Sequence, residues 1–303
     1  MDFIFFILSF SRSGSTLLTK LLNNHNDIQV ANETWVFPTV SILGWTELNY
    51  NKQRYILYVY NQSLKIFANF KPITHEICDR ETVSFKSFYR KLQDTHSLLH
   101  GEKNPVNTFH FSYLHKSFID AKYIFLTRNP LAIANSYKNR WFKGKSDNDF
   151  LFKVTVIIKS YFLSYQNYNN NNNIITIRYE DLVNEPKISL NQICNHLGVK
   201  YDDVMLSNLD NFILNSENLH HHKDLYNSVN KKNINKYKTQ MTQQEIQNLS
   251  YLLRDVINFF NYPDSYFKPT KSLLRIERKV NNRLRYNNSF IRIYLRKMKY
   301  YLF

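Results

Sequence analysis

Residues 3–22 read FIFFILSFSRSGSTLLTKLL, and the order of these side chains decides the fold. Phe3 to Ser9 is an unbroken apolar run, as expected of a buried strand. Thr16 to Leu22 reads as a helix that Asn23-Asn24-His25-Asn26-Asp27 brings to an end. Between them, Phe10-Ser-Arg-Ser-Gly-Ser15 is small and polar. Strand, short loop and helix in this order aim backbone N–H groups and a helix N-terminus at one spot, a geometry that binds phosphate or sulfate. Over Ser11–Thr16, Gly14 allows close backbone approach, Ser15 and Thr16 add hydroxyl donors, and Arg12 adds a fixed positive charge. The stretch is not a Walker A loop, because GxxxxGK[ST] is absent. The plain alternative is a Ser-rich turn that caps a helix.

The same alternation continues outward. Residues 50–70 and 85–99 carry helical spacing. Lys122–Thr127 (KYIFLT) is a second buried strand, and Arg128-Asn-Pro130 leads into a helix from Leu131 to about Trp141. Pro130 stands at the helix start, where its missing N–H does no harm. Residues 174–179 (IITIRY) form a third strand after the Asn169–Asn173 loop. Pro186 to Leu197 is a helix stopped by Gly198. Thr242 and Glu245 form a capping box before a helix ending near Phe260. Strands alternating with helices imply an α/β fold around a mainly parallel sheet.

Composition sets the outer limits. The chain has 303 residues, 43% hydrophobic and 21% charged, with 23 Phe and 22 Tyr, which suits a folded protein with a large core. Five glycines exclude collagen-like repeats, and two cysteines cannot make a disulfide framework. The apolar opening is six residues long, too short to span a bilayer, and lacks the leader of a signal peptide. The expectation is a cytoplasmic protein, or one peripheral at a membrane. Charge is uneven: residues 268–303 hold 11 Lys and Arg against one acid, so +10 of the net +16 lies there and +6 in the remaining 267 residues. That divides the chain into a body, 1–267, and a basic helical tail, 268–303.

Beyond the first loop, Arg128 ends a buried strand, where ligands of open parallel sheets sit. An Arg there can hold a phosphate bidentately, and Ser136, eight residues on, can reach the same group. An exposed Arg paired with a surface acid is the alternative. Lys103 in Gly101-Glu-Lys-Asn-Pro105 and Glu33 in Asn32-Glu-Thr-Trp35 are unremarkable taken singly.

Together the segments resemble the sulfotransferase superfamily, whose donor is 3'-phosphoadenosine 5'-phosphosulfate (PAPS). FILSFSRSGSTLLTKLLNNHNDIQV is similar to its 5'-phosphosulfate strand–loop–helix, YIFLTRNPLAIANSY to its 3'-phosphate motif with Arg and Ser eight apart, GEKNP to GEKTP, and IRYEDLVNEP to YEDL-P. The likeness runs over about residues 3–263. It implies a P-loop NTPase-like three-layer sandwich and transfer of a sulfuryl group to a hydroxyl of a glycan, a peptide tyrosine or a small molecule. It further implies that Arg12, Ser13, Gly14, Ser15 and Thr16 hold the 5'-phosphosulfate, and that Arg128 and Ser136 hold the 3'-phosphate. Lys103 would stabilise charge as the bond breaks, and Glu33, matching the Glu of the GEET motif in the tyrosylprotein and bacterial branch, would be the base. Tyr179 would pack near the adenine, or else serve as a core aromatic. Lys231 or Lys232 would lie in a late basic loop over the phosphates. PAPS is then co-substrate, 3'-phosphoadenosine 5'-phosphate (PAP) the product, and no metal is required; the His220–His222 triplet does not make a metal site. Three departures weaken a tyrosylprotein assignment: Val30-Ala31 stands where that branch has Cys, Trp35 where it has an Arg for acidic peptides, and the secretory anchor is missing.

The tail has helical stripes at Leu273, Ile276, Val280, Leu284 and at Ile291, Leu295, Met298, Leu302. It can dock on the body, self-associate, or lie on a membrane surface. Nucleic acid is what composition alone suggests, and it explains none of the ordered motifs. A P-loop kinase lacks its Walker Lys here, and a non-catalytic nucleotide-binding adaptor would not need Glu33 and Lys103.

Overall fold

The computed structural model describes residues 3–64, 73–93, 99–207, 231–263 and 268–285. In chain order the elements are β1 (Phe3–Ser9), α1 (Ser15–Asn23), β2 (Ile28–Asn32), α2 (Val36–Leu43), β3 (Glu47–Leu48), α3 (Tyr50–Leu64), β4 (Val83–Ser84), α4 (Phe85–Lys91), β5 (Leu99–Lys103) and α5 (Phe111–Ser117). There follow β6 (Lys122–Thr127), α6 (Pro130–Trp141), α7 (Asp147–Gln166), β7 (Ile174–Arg178), α8 (Tyr179–Asn184), α9 (Pro186–Leu197), α10 (Lys236–Gln240), α11 (Gln243–Leu252), α12 (Arg254–Phe259) and α13 (Lys271–Arg285).

Five strands form one parallel sheet in the order β2-β5-β1-β6-β7. β1 is central because its side chains are apolar on both faces. Phe6 and Leu8 enter one core, with α2 to α7 and α11 to α13. Phe5 and Ile7 enter the other, with α1, α8 and α9. The result is the three-layer α/β sandwich. From β1 the chain moves first to β2 and β5 on one side, then to β6 and β7 on the other. The loop after β1 therefore lies at the point where the strand order reverses, the usual ligand crevice of such sheets.

Several elements differ from their sequence reading. The helix expected over 85–99 is α4, ending at Lys91, and Leu99 already begins β5. The helix expected over 50–70 is described as far as Leu64. Tyr179 opens α8 rather than closing a strand, and the helix after Thr242 breaks at Leu253 into α11 and α12. The Thr242–Glu245 capping box and the left-handed Gly198 stop are both present.

Two polar bolts fix the ends of β6 and β7. Buried Glu180 accepts from the Asn129 N–H at 2.9 Å and from the Tyr262 hydroxyl at 3.0 Å. Asn129 caps α6 by accepting from the Leu131 N–H. Arg128 is thus held at the rim by its own next neighbour. The first tail stripe packs inward: Leu273, Ile276 and Val280 are buried in the core that includes α7. Glu277 accepts from Arg254 at 2.7 Å and from the Tyr251 hydroxyl at 2.9 Å. Lys271, Arg275, Arg278, Lys279, Arg283 and Arg285 are exposed. The second stripe, from Ile291, lies outside the described residues. Among the described residues no helix is long and apolar enough to cross a membrane.

Candidate active site

The carboxyl ends of β1, β2, β5, β6 and β7 each deliver one or more of the expected residues to a single rim. After β1 the backbone turns sharply: Arg12 has φ +72° and Gly14, the N-cap of α1, has φ +96°. A left-handed Arg is a strained residue, held only where its surroundings over-determine it. Tyr179 is part of those surroundings. A Cβ at Gly14 would lie 2.4 Å from Cδ2 of the Tyr179 ring, so glycine is required for the contact. Ser13 is wholly buried, and its Oγ has no hydrogen-bond partner among the described residues. Ser15 is buried and Thr16 half-buried at the first turn of α1.

Arg12 sits among charges. Its Nε donates to Ser136 Oγ at 3.0 Å, and its guanidinium lies 5.8 Å from the Trp141 ring. Burial holds its pKa below the usual arginine value. The charges of Arg140 and Arg128 act in the same direction, against Tyr137 and Glu33. Like charges around Arg12 make this rim positive, surroundings that an anion would relieve.

Arg128 lies 4.3 Å over the Tyr179 ring. Its Nη1 donates to the Arg12 carbonyl at 3.3 Å and its Nη2 to the Asn233 carbonyl at 2.7 Å. Its Nε is buried without a partner among the described residues. The late basic segment thus does cross the rim, through the short 3₁₀ turn Lys231–Asn233. Lys231 is exposed, and the Lys232 side chain is outside the description.

β2 and β5 supply the third part. Asn32 pairs with Lys103 in register, and the Glu33 N–H donates to the Lys103 carbonyl at 2.7 Å. Lys103 Nζ donates to Glu33 Oε1, also at 2.7 Å. The lysine side chain is 1% exposed and the glutamate 41%, so the pair joins a buried cation to a carboxylate facing the opening. Glu33 and Trp35 are both left-handed, with φ +54° and +57°.

The structure therefore gathers Arg12, Ser13, Gly14, Ser15, Thr16, Glu33, Lys103, Arg128, Ser136 and Tyr179 at one end of the sheet. The Ser136 hydroxyl accepts from Arg12 Nε. Tyr179 is 5% exposed and belongs to the second core, the core-aromatic alternative, and its described contacts are with Gly14 and Arg128. Sequence reasoning gave no role to Glu102, Tyr137, Arg140 or Trp141. The signal for the last two was a basic-aromatic helix end after Ser136. His220–His222 lie outside the described residues, and among those described no three His, Cys, Asp or Glu cluster as metal ligands would.

Comparison with known proteins gives the same reading. A nodulation protein, NoeE, of Sinorhizobium fredii is 28% identical over 141 residues, 46% of this chain and 32% of that protein. Protein-tyrosine sulfotransferase 1 of Danio rerio is 24% identical over 217 residues, 67% of this chain and 55% of that one. The chain thus spans about a third of the first and about half of the second. Among solved structures, the sulfotransferase domain from the curacin biosynthetic pathway shares the fold, with TM-score 0.60 at 20% identity over 88% of this chain and 99% of that one. A family model described as "Sulfotransferase family" matches residues 5–203, which takes in the Ser11–Thr16 loop, the Glu33–Lys103 pair, Arg128, Ser136 and Tyr179, and the chain belongs to that family.

Proposed function

We propose that the chain transfers a sulfuryl group from PAPS to a hydroxyl of an acceptor, which can be a glycan, a peptide tyrosine or a small molecule. The observation that carries this is the Lys103–Glu33 pair at 2.7 Å beside an anion loop whose Arg12 is crowded by the charges of Arg128 and Arg140. The orphaned Nε of Arg128 and the orphaned Ser13 hydroxyl suit an anionic donor, because buried polar groups without partners cost stability that a ligand recovers.

The division of labour follows from charge and position. Arg12, the amides of 11–16, Ser13, Ser15 and Thr16 bind the 5'-phosphosulfate. Arg128, backed by Tyr179, binds the 3'-phosphate, and Lys231 stands at the loop that crosses it. Ser136 orients Arg12 through their hydrogen bond. Lys103 has three N–H donors, so it can hold Glu33 and still face oxygens of the donor. As the sulfur leaves the bridging oxygen of PAPS and bonds to the acceptor oxygen, negative charge grows on PAP, and Lys103 and Arg12 stabilise it. Glu33 takes the proton of the acceptor hydroxyl.

Calorimetric titration with PAP, beside ATP and Mg²⁺, tests the donor. Micromolar binding of PAP, little of ATP, and loss in Arg128→Ala are expected. Preference for ATP would overturn the reading in favour of a kinase.

A further inference from the structure

We propose that Glu102 is the positioning residue of this site: through Thr34 it holds the left-handed turn that carries Glu33, and it does so in its ionised form. The inference rests on the sulfuryl-transfer reading for its kinetic part only. Glu102 is fully buried, next to Lys103 on β5. Its Oε2 accepts from the Tyr89 hydroxyl at 2.9 Å, and its Oε1 accepts from Asn107 Nδ2 at 3.4 Å. The Thr34 hydroxyl is a third partner.

Thr34 is the significant one. It is itself fully buried, and it is the one residue between Glu33 and Trp35, both of which stand in the left-handed region without being glycine. Each such residue is strained and persists only where neighbours over-determine it. Two consecutive residues of β5 do this. Lys103 grips Glu33 by backbone carbonyl and by ammonium, and Glu102 grips Thr34. If the second grip loosens, the turn can relax, and the Glu33 carboxylate moves away from the acceptor.

The grip depends on ionisation. Burial raises the Glu102 carboxyl to about 7, against the pull of Thr34, Tyr89 and Asn107. The ionised carboxylate accepts from all three. The neutral acid must donate one proton, so one of the three contacts has to reverse. Asn107 Oδ1, buried with no partner among the described residues, is an acceptor that a turned amide would present to it. The titratable groups facing the cluster are Tyr89 from α4, itself pushed up by burial and by Glu102, Tyr60 acting on Tyr89 from α3, and the Lys103–Glu33 pair beside it.

The test uses the full chain, wild type, Glu102→Gln and Tyr89→Phe. Emission of Trp35, isolated by difference with Trp35→Phe, should titrate near pH 7 in the wild type and be flat in Glu102→Gln. In Tyr89→Phe the midpoint should move up, because the carboxylate has lost a donor. An infrared protonated-carboxyl band should follow the same curve. In turnover, kcat should fall below about pH 7 in the wild type. In Glu102→Gln that limb should vanish, and kcat should drop on the order of tenfold to a hundredfold with KM for the donor within about twofold. An unchanged Trp35 titration in Glu102→Gln, or a rise in KM with kcat intact, would overturn the proposal. Failure of all three proteins to bind PAP would instead refute the sulfuryl-transfer reading, while the emission and infrared titrations would still decide this one.

Discussion

Gly14→Ala is the sharpest probe of how the anion loop is held. The residue has φ +96°, and a side chain in left-handed backbone costs about 1–2 kcal/mol. The added Cβ would stand 2.4 and 2.5 Å from two carbons of the Tyr179 ring, so the ring must retreat by about 0.6 Å to reach the 3.0 Å floor for real contacts and by about 1 Å to sit comfortably. The same ring carries the Arg128 guanidinium, 4.3 Å away, and a desolvated cation–π contact is worth about 1–2 kcal/mol. If half of that contact is lost, the total is about 1.5–3 kcal/mol of stability. A displacement of Arg128 by a similar distance should also weaken PAP by at least about tenfold, which is 1.4 kcal/mol. Denaturant midpoints and calorimetric titration read the two effects. In a Tyr179→Leu background the collision is gone, and Gly14→Ala should cost only the backbone's about 1–2 kcal/mol, leaving a coupling of about 0.5–1 kcal/mol. Equal costs in the two backgrounds would show that the ring does not bear on the loop.

Three further outcomes follow from the same contacts. Lys103→Met and Glu33→Gln should each lower turnover about 10²–10³-fold, and the double variant little further, because paired groups do not act additively; PAP binding should stay near wild type in Glu33→Gln and remain measurable in Lys103→Met, and a turnover that survives both changes would remove them from the mechanism. His110 is buried against Ser41 Oγ at 2.9 Å, and burial lowers its pKa to about 4. Its folded pKa lies below the unfolded value of about 6.5, so the stability it contributes is present above pH 6.5 and lost as pH falls through 4, about 2 kcal/mol of it by pH 5. Chemical denaturation at pH 5 and 7 should show that loss in the wild type beyond that of His110→Asn, and equal losses would contradict the burial argument. Leu273→Ala on α13 should destabilise by about 2–4 kcal/mol in urea melts, since it opens a cavity against the core, whereas Lys279→Ala should leave the midpoint in place. A Leu273→Ala midpoint like that of the wild type would mean that 271–285 does not share the body's stability.

What was legible in the sequence was local. β1 and β6 announced themselves by apolar runs, α6 by Pro130, α9 by Gly198, and α11 by its capping box. Two strands of the sheet, β2 and β5, were not legible, for opposite reasons. β2 is a short edge strand, IQVAN, whose alternation is too brief to stand out. β5 is interior and buried at all five positions, yet it reads LHGEK, because two of its places are given to charged groups. Its Gly101 is needed where the Phe5 ring lies 2.3 Å from where a Cβ would be. Motif order named the residues that the structure gathers at the rim. Spacing did not disclose the bond from Arg12 to Ser136, since a hydroxyl six residues past Pro130 is carried about 9 Å along the helix axis. The links Arg12–Ser136 and Lys103–Glu33 join residues 124 and 70 apart, which no local pattern encodes. Nor did any glycine mark the left-handed turns at Arg12, Glu33 and Trp35.

The illegible places are also the ones that matter chemically, and one cause accounts for both. A carboxylate and an ammonium on adjacent positions of an interior strand are costly in a sheet core, and they persist because each has a partner outside the strand. Those partners, Thr34 with Tyr89 on one side and Glu33 on the other, all bear on one turn. The same holds across the rim, where Arg12 tolerates Arg128 and Arg140 as neighbours in a backbone conformation that costs it energy. Local rules are broken where backbone strain and like charge are concentrated, and the sandwich of aromatics around β1 stabilises the frame that keeps them there. On the proposed sulfuryl-transfer reading, a donor with negative charge at both ends would place one anion beside Arg12 and another beside Arg128, and its binding energy would go into holding charge at a rim whose strain the frame already carries.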